Sequence, residues 1–452
     1  MSMELFLVSI DSKLWGPPMI IFLLGTGIFF TIRLKFLQVT KLATALRMIG
    51  STKDQGKGDI SSFRALCLSL GATVGIGNII GVTTAVKFGG PGSIFWMGLA
   101  AFFGMATRYA EGLLAIKFRA KDENGDVLGG PMAYIEYGMG KKFKPLAIFF
   151  AMTTLAVALF GVGIFPQVQA ITDSLKLAFK IPPFISDPIV AIIVGMIILG
   201  GLQKISRIME KIVPFMLIFF IALSVLLVII HAPEVPDAVE LILMNAFTGD
   251  AIFGGFAGTT VMMAVSHGLS RGLFSNESGL GSMPIASATA RTRWGAEQGL
   301  LSMTVTFIDT IVICTLMGLS LVLTGVWNKD LAVEFMAAAA FQEVYGMLGL
   351  KLFAISTVLF AFTTILGWNY YGERAMVYLF RTRGILLYRV TFIVLVAIAA
   401  FTKLEFGWLI ADIANALMAI PNLIALIALS KNVVADTKIY MEYQLKFEEK
   451  NF

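Results

Sequence analysis

Apolar residues in this chain gather in long runs, not in the two-residue alternation of a strand or the narrow stripe of a surface helix. PPMIIFLLGTGIFFTI, residues 17–32, is one such run, and IVPFMLIFFIALSVLLVII, residues 212–230, is another. A helix needs roughly 20 apolar residues to cross a bilayer. Eleven stretches come close to that length: 15–32, 65–86, 91–116, 145–172, 188–202, 212–230, 251–268, 299–327, 352–372, 384–402 and 406–430. The pattern predicts an all-α polytopic membrane protein with eleven transmembrane helices.

Composition agrees. Of the 452 residues 57% are apolar and 14% charged, whereas soluble domains carry about 25% charge. Where the charge lies then sets the orientation. With the N-terminus outside, inward-facing loops and helix ends hold 28 of the 35 lysines and arginines. The outward side keeps Lys13, Lys87, Lys176, Lys180, Lys329, Lys351 and Lys403. Such an excess marks the cytoplasmic side, so a multi-pass cell-membrane protein is expected, its N-terminus outside and its C-terminal tail cytoplasmic. The start, MSMELFLVSIDSKLWGPP, lacks the basic stretch and small-residue cleavage site of a signal peptide, so the first helix is expected to remain.

Some chemistries drop out. Cys67 and Cys314 both lie in apolar runs, and His231 and His267 are far apart, which excludes a disulfide framework and a recognisable metal cluster. An enzyme would need a nucleophile–base pair or a metal constellation, and these residues supply neither. A channel needs rings of carbonyls or charges along its pore, and no repeated filter motif is visible. The expectation is a transporter and not an enzyme.

An odd span count makes the first helix an addition to a core of ten. Two sets of five then insert in opposite senses, the inverted repeat of many secondary transporters. The expected organisation is an extra N-terminal helix and connector in 1–60, a first five-helix repeat in 61–232, a second in 233–430 and a cytoplasmic tail in 431–452. GATVGIGNIIGVTTAVKFGGPGS, residues 71–93, packs seven glycines into the first core helix. SHGLSRGLFSNESGLGS, residues 266–282, stands near the matching place in the second set. Glycine costs a helix about 1 kcal/mol relative to alanine, so both stretches read as breaks. A break at the bilayer midplane frees amides, which favour an anion, and carbonyls, which favour a hard cation. The competing reading is close packing, because Gly71/Gly75 and Gly77/Gly81 also have the GxxxG spacing.

GGPGSIFWMGLAAFFG, residues 89–104, resembles the signature of the sodium–alanine/glycine symporters, in which a Gly-Gly pair leads into Phe-Trp-Met-Trp. Ser93 stands where that family has Gly or Ala, and Gly98 where it has a second Trp. RGLFSNESGLGS, residues 271–282, is also similar to the family, and the likeness extends over essentially the whole chain. The resemblance implies the LeuT-type five-plus-five fold. It also implies Na⁺-coupled uptake of small neutral amino acids by alternating access, with a proton-coupled carrier of the same fold as the alternative. GIGN at 75–78 resembles the unwound point of the first core helix. It makes the Ile76 and Gly77 amides candidates for the substrate carboxylate, with Thr73, Gly75 and Asn78 beside them. By the same likeness the Gly71 and Val74 carbonyls and the Thr363 and Thr364 hydroxyls would hold Na⁺, Thr364 also facing the substrate. The threonines have a plainer alternative, a back-bond to their own helix.

Other polar residues inside spans are candidates by rarity. Gln167 follows Pro166 in the third core helix, which lines the substrate site in this fold, and Gln169 lies farther from the centre. Trp368 is one turn beyond Thr364 and shares its face. Ser266, Gly268 and Phe274, near the second break, are expected pocket wall. Asp309 and Asp412 are lone acids, Asp309 with Arg271 as a candidate partner, and Arg108 and Glu111 form an i,i+3 pair of structural or gating character.

Overall fold

Backbone groups in a bilayer have to bond within their own segment, and the chain meets that demand with helices almost throughout. The computed structural model describes residues 7, 9–10, 13–51, 56–248, 261–399 and 405–449. After α1 (Pro17–Arg33) and α2 (Leu42–Ser51), α3 (Ser62–Thr73) is separated by a break from α4 (Val82–Gly89). The long α5 (Ser93–Lys117) follows, then a hairpin of β1 (Ala120–Lys121) and β2 (Val127–Leu128). Next come α6 (Lys144–Phe160), α7 (Phe165–Phe179), α8 (Pro183–Ile198), α9 (Gly201–Ile230) and α10 (Val235–Phe247). Beyond them lie α11 (Val261–Asn276), α12 (Met283–Ser287), α13 (Gly295–Leu323) and α14 (Val333–Phe380). The chain closes with α15 (Ile385–Ile398), α16 (Glu405–Ala428) and α17 (Ser430–Glu449).

Five described helices are long and apolar enough to cross a membrane alone, or seven if each of two bent pairs is one span. α1 and α8 are apolar but shorter. The eleven expected spans are therefore not all counted by that measure. Most of the expected span 251–268 lies outside the described residues, and the span at 384–402 loses its end there.

At the hub is α5. Its small residues let neighbours come close: a Cβ on Gly112 would sit 2.2 Å from Ser302 Oγ of α13, and one on Gly104 would sit 2.9 Å from Ser278 Oγ. On the other side, α14 packs against α3, α6, α7 and α9. Gly346 (φ 61°, ψ −146°) kinks α14, dividing 333–345 from the longer part that follows.

Sequence and structure part company twice here. The expected span 145–172 lies within Lys141–Phe179, one of the five stretches long enough to span, but its helix is interrupted at 161–164, between α6 and α7. Gly163 leaves no room for a side chain, since a Cβ would meet Ala158 O at 2.3 Å. Pro166 consequently lies in the first turn of α7, where its missing N–H costs no helix bond. The second break also lies farther along than the glycines suggest. α11 runs unbroken through SHGLSRGLF because Gly268 and Gly272 seat against Ser93 and Met97 of α5. For those glycines close packing is the right reading.

On one face of the bundle the segment before α3 is strapped to the segment after α12. Ile60 and Ala290 form a parallel bridge. The Arg119 guanidinium donates to Ala288 O and Ala290 O, each at 2.8 Å, to Thr292 O at 3.3 Å, and to Lys57 O. Arg119→Ala removes every one of these bonds. Alkylation of Cys67, buried in α3 at 1% exposure, is then expected to accelerate at least about fivefold, since losing even one bond to a charged donor weakens closure by about 1.5–3 kcal/mol. Mass spectrometry after timed maleimide treatment reads this, and an unchanged rate would dismiss the strap as a closure.

Candidate functional site

Where α3 stops, backbone groups are released from helical pairing. Val74 turns extended (φ −76°, ψ 94°), Gly77–Gly81 forms a π turn, and the two halves meet at 50°. Asn78 holds the break from behind. Its Oδ1 accepts the Gly75 N–H at 3.1 Å, and its Nδ2 donates to Asp309 Oδ1 at 2.6 Å. Asp309 is fully buried in a second π turn, Phe307–Cys314, and also accepts from Thr310 at 2.7 Å and Ser275 at 3.5 Å. Its side-chain partners are thus Asn78, Thr310 and Ser275, and not Arg271, one candidate the sequence offered. The Ile76 and Gly77 amides have no hydrogen-bond partner among the described residues. They start the helical run into α4, where the dipole favours negative charge.

These amides border a cavity of about 50 Å³. Of the expected substrate-contacting residues, Thr73, Gly75, Ile76, Gly77, Gln167, Phe274, Thr364 and Trp368 line it. Three do not. Asn78 is spent on Asp309, Gly268 is packed beneath Ser93 and Trp96, and Ser266 is exposed on the outer part of α11. Val162, Arg271, Ser275, Glu277 and Asn415 also line the cavity. Val162 and Gln167 arrive there through the unforeseen break before α7. Glu277 arrives through the turn 277–282, whose Gly279 and Gly281 both have positive φ.

Four side-chain atoms around this cavity are buried with no hydrogen-bond partner among the described residues: Thr73 Oγ1, Gln167 Oε1, Trp368 Nε1 and Asn415 Oδ1. Buried polar groups are ordinarily paired, and an unpaired one costs about 1–3 kcal/mol. Donors and acceptors converging on one small space make a polar-ligand site. Above it a larger space of about 460 Å³ shares Ile76, Ile80, Thr84 and Arg271 with the cavity and carries Asp173, Glu334 and Asp412 on its walls.

Of the residues expected to hold the ion, Gly71 meets both threonines. Thr364 Oγ1 lies 3.3 Å from Gly71 O and 2.9 Å from Phe360 O. Thr363 Oγ1 lies 3.1 Å from both Leu359 O and Phe360 O, so each threonine back-bonds to its helix. Val74 is fully buried where α3 ends. The Phe360 carbonyl, shared by the two hydroxyls, carried no side-chain signal in the sequence.

A charged cluster supports the second break. Arg108 and Glu111 are fully buried, 3.1 Å apart, and Arg108 Nη2 donates to Asn276 O at 2.5 Å. Asn422 donates to Glu111 Oε1 at 2.7 Å and Gly279 O at 2.8 Å, and accepts from Tyr134. The stretch GLSRG, residues 268–272, has the spacing of a hydrolase nucleophile elbow. It lies inside the continuous α11, not on the strand-to-helix turn which that chemistry requires.

Comparison with known proteins follows the same lines. The family model described as the sodium:alanine symporter family matches residues 1–452. A sodium/alanine symporter, AgcS, of Methanococcus maripaludis is 44% identical over 98% of this chain and 98% of its own. An uncharacterized transporter of Haemophilus influenzae is 51% identical over 98% of this chain and 97% of its own. Among solved structures, MhsT in complex with L-phenylalanine superposes with a TM-score of 0.60 at 13% identity, covering 84% of this chain and 93% of that one. That likeness concerns the fold alone. The chain shares the architecture of helical, LeuT-like membrane transporters.

Proposed function

The chain belongs to the sodium:alanine symporter family, and from that premise we propose that it carries a small neutral amino acid, alanine or glycine, into the cell together with Na⁺. The observation that carries this reading is the set of four unpaired polar atoms around the central cavity. Size supports the choice of cargo. A water occupies about 10–15 Å³ of such free volume, so a cavity of about 50 Å³ suits a molecule of few heavy atoms. The Ile76 and Gly77 amides suit its carboxylate. The Gly71, Val74 and Phe360 carbonyls, with the Thr363 and Thr364 hydroxyls, suit a hard cation.

Coupling follows from shared parts. Thr364 lines the cavity and also touches Gly71 O, so an ion that orders the end of α3 sets the amides facing the cargo. Each ligand then raises the affinity of the other, as linkage requires. The arrangement is a five-plus-five core of ten spans after one extra helix, the N-terminus outside, with the broken helices rocking around a fixed site. Asp309, a buried acid on the far side of Asn78, is the group a proton-coupled mechanism would titrate.

Radiolabelled alanine is expected to accumulate in proteoliposomes only under an inward sodium gradient. Accumulation driven by a pH step alone would transfer coupling to the proton. Thr364→Val should raise the half-saturating sodium concentration about tenfold, the worth of one neutral oxygen contact near 1–1.5 kcal/mol. An unchanged sodium dependence would remove Thr364 from the ion site.

A further inference from the structure

We infer that the Glu277 carboxylate holds the ammonium group of the cargo and makes the cavity select zwitterions over carboxylic acids of the same size. This deepens the proposed transport of a neutral amino acid and rests on it.

Glu277 is the one acid among the described residues that line the central cavity, and its side chain is nine-tenths buried. It stands at the start of the turn after α11 with φ 53°, a backbone region that residues other than glycine rarely adopt. Glycines follow at 279 and 281 where the turn needs positive φ again. The strained first position nevertheless carries a charged side chain, which is a cost that a purely structural turn avoids with glycine or asparagine.

The carboxylate is oriented by a neutral donor, the Ser282 hydroxyl, which donates to Oε2. Arg108 lies behind it but is already engaged with Glu111 and the Asn276 carbonyl. A buried carboxylate whose nearest cation is committed elsewhere favours a cationic partner. The cavity offers one place for it, since the end of α11 faces the start of the π turn. A Cβ on Gly77 would come within 3.9 Å of the Phe274 ring and 4.0 Å of Ser275 Cα. The free Ile76 and Gly77 amides therefore lie on one wall of the cavity, and the end of α11, with Glu277 just beyond it, forms the facing wall. A zwitterion matches both ends. A simple carboxylic acid leaves Glu277 facing no charge, and an amine leaves the amides without an anion.

The test is ligand-induced thermal stabilisation of the purified full-length protein in sodium buffer, titrated with L-alanine and with propionate. Wild type should respond to alanine and at least about tenfold more weakly to propionate. Glu277→Gln should raise the half-maximal alanine concentration about 10- to 100-fold, the range of one charged hydrogen bond. It should leave the response to propionate within about threefold of wild type, so discrimination collapses. Glu277→Asp keeps the charge but withdraws it by one methylene. It should weaken alanine several-fold while still rejecting propionate, and it serves if the glutamine variant does not fold. A wild type as responsive to propionate as to alanine overturns the inference, as does a glutamine or aspartate variant within twofold of wild type for alanine. Binding is read here without a gradient, so failure of sodium-driven uptake would strike the transport reading and leave the ammonium contact standing.

Discussion

Arg108→Met is expected to cost the folded protein about 3–5 kcal/mol, the penalty for stripping one partner from a buried ion pair. The methionine nearly fills the same space, so the loss is electrostatic and not a cavity. Glu111 would be left fully buried without its cation, and the Asn276 carbonyl would lose its donor. Because Asn422 binds Glu111 as well as Gly279 and Tyr134, the damage should spread to the turn 277–282 and to α16. Thermal unfolding in detergent measures it. The double variant Arg108→Met/Glu111→Leu should recover most of the loss, since removing both charges leaves no stranded ion. A single variant that melts with wild type would mean the cluster is hydrated and contributes little.

Gly75→Ala and Gly77→Ala, two residues apart, should behave in opposite ways. A Cβ on Gly75 falls 2.5 Å from Thr364 Oγ1, closer than real atoms approach. Either the threonine turns away from Gly71 O and Phe360 O, or α3 shifts off α14. Both outcomes dismantle the oxygen cluster proposed for sodium, so half-saturating sodium should rise tenfold or more, about 1.4 kcal/mol. On Gly77 the same methyl meets nothing closer than 3.9 Å. That variant should keep sodium affinity within about twofold, less than about 0.5 kcal/mol. It should weaken alanine, because the methyl enters a space of only about 50 Å³. Equal sodium affinities in the two variants would refute the assignment of Gly75 as the contact that seats Thr364.

These contrasts show what a sequence can and cannot display. The first break was legible at Gly71–Asn78 because glycines, an asparagine and an apolar surrounding coincide there. The second was displaced by several residues, since Gly268 and Gly272 carry the same signal for a different reason, a close crossing with α5. The break before α7 had its markers, Gly161, Gly163 and Pro166, but they lay inside one continuous apolar run and were absorbed into it. Asn78 stands out among the glycines, and the structure turns its amide to Asp309 and not to the cavity. Its partner Asp309 is 231 positions away, a distance across which spacing says nothing. Glu277 was hidden in a loop motif because burial, not residue type, makes a loop acid notable.

The strap of Arg119 with the Ile60–Ala290 bridge has a mechanical corollary. It joins the leading end of α3 to the chain just past α12, and these belong to the two separately interrupted helices. A swing of either hinge alone on that face would have to break the Ile60–Ala290 bridge and the Arg119 bonds. Tied together in this way, the two hinges would be expected to move as one on that face, which would disfavour a passage opened by one half-helix alone, the simplest route to an uncoupled leak.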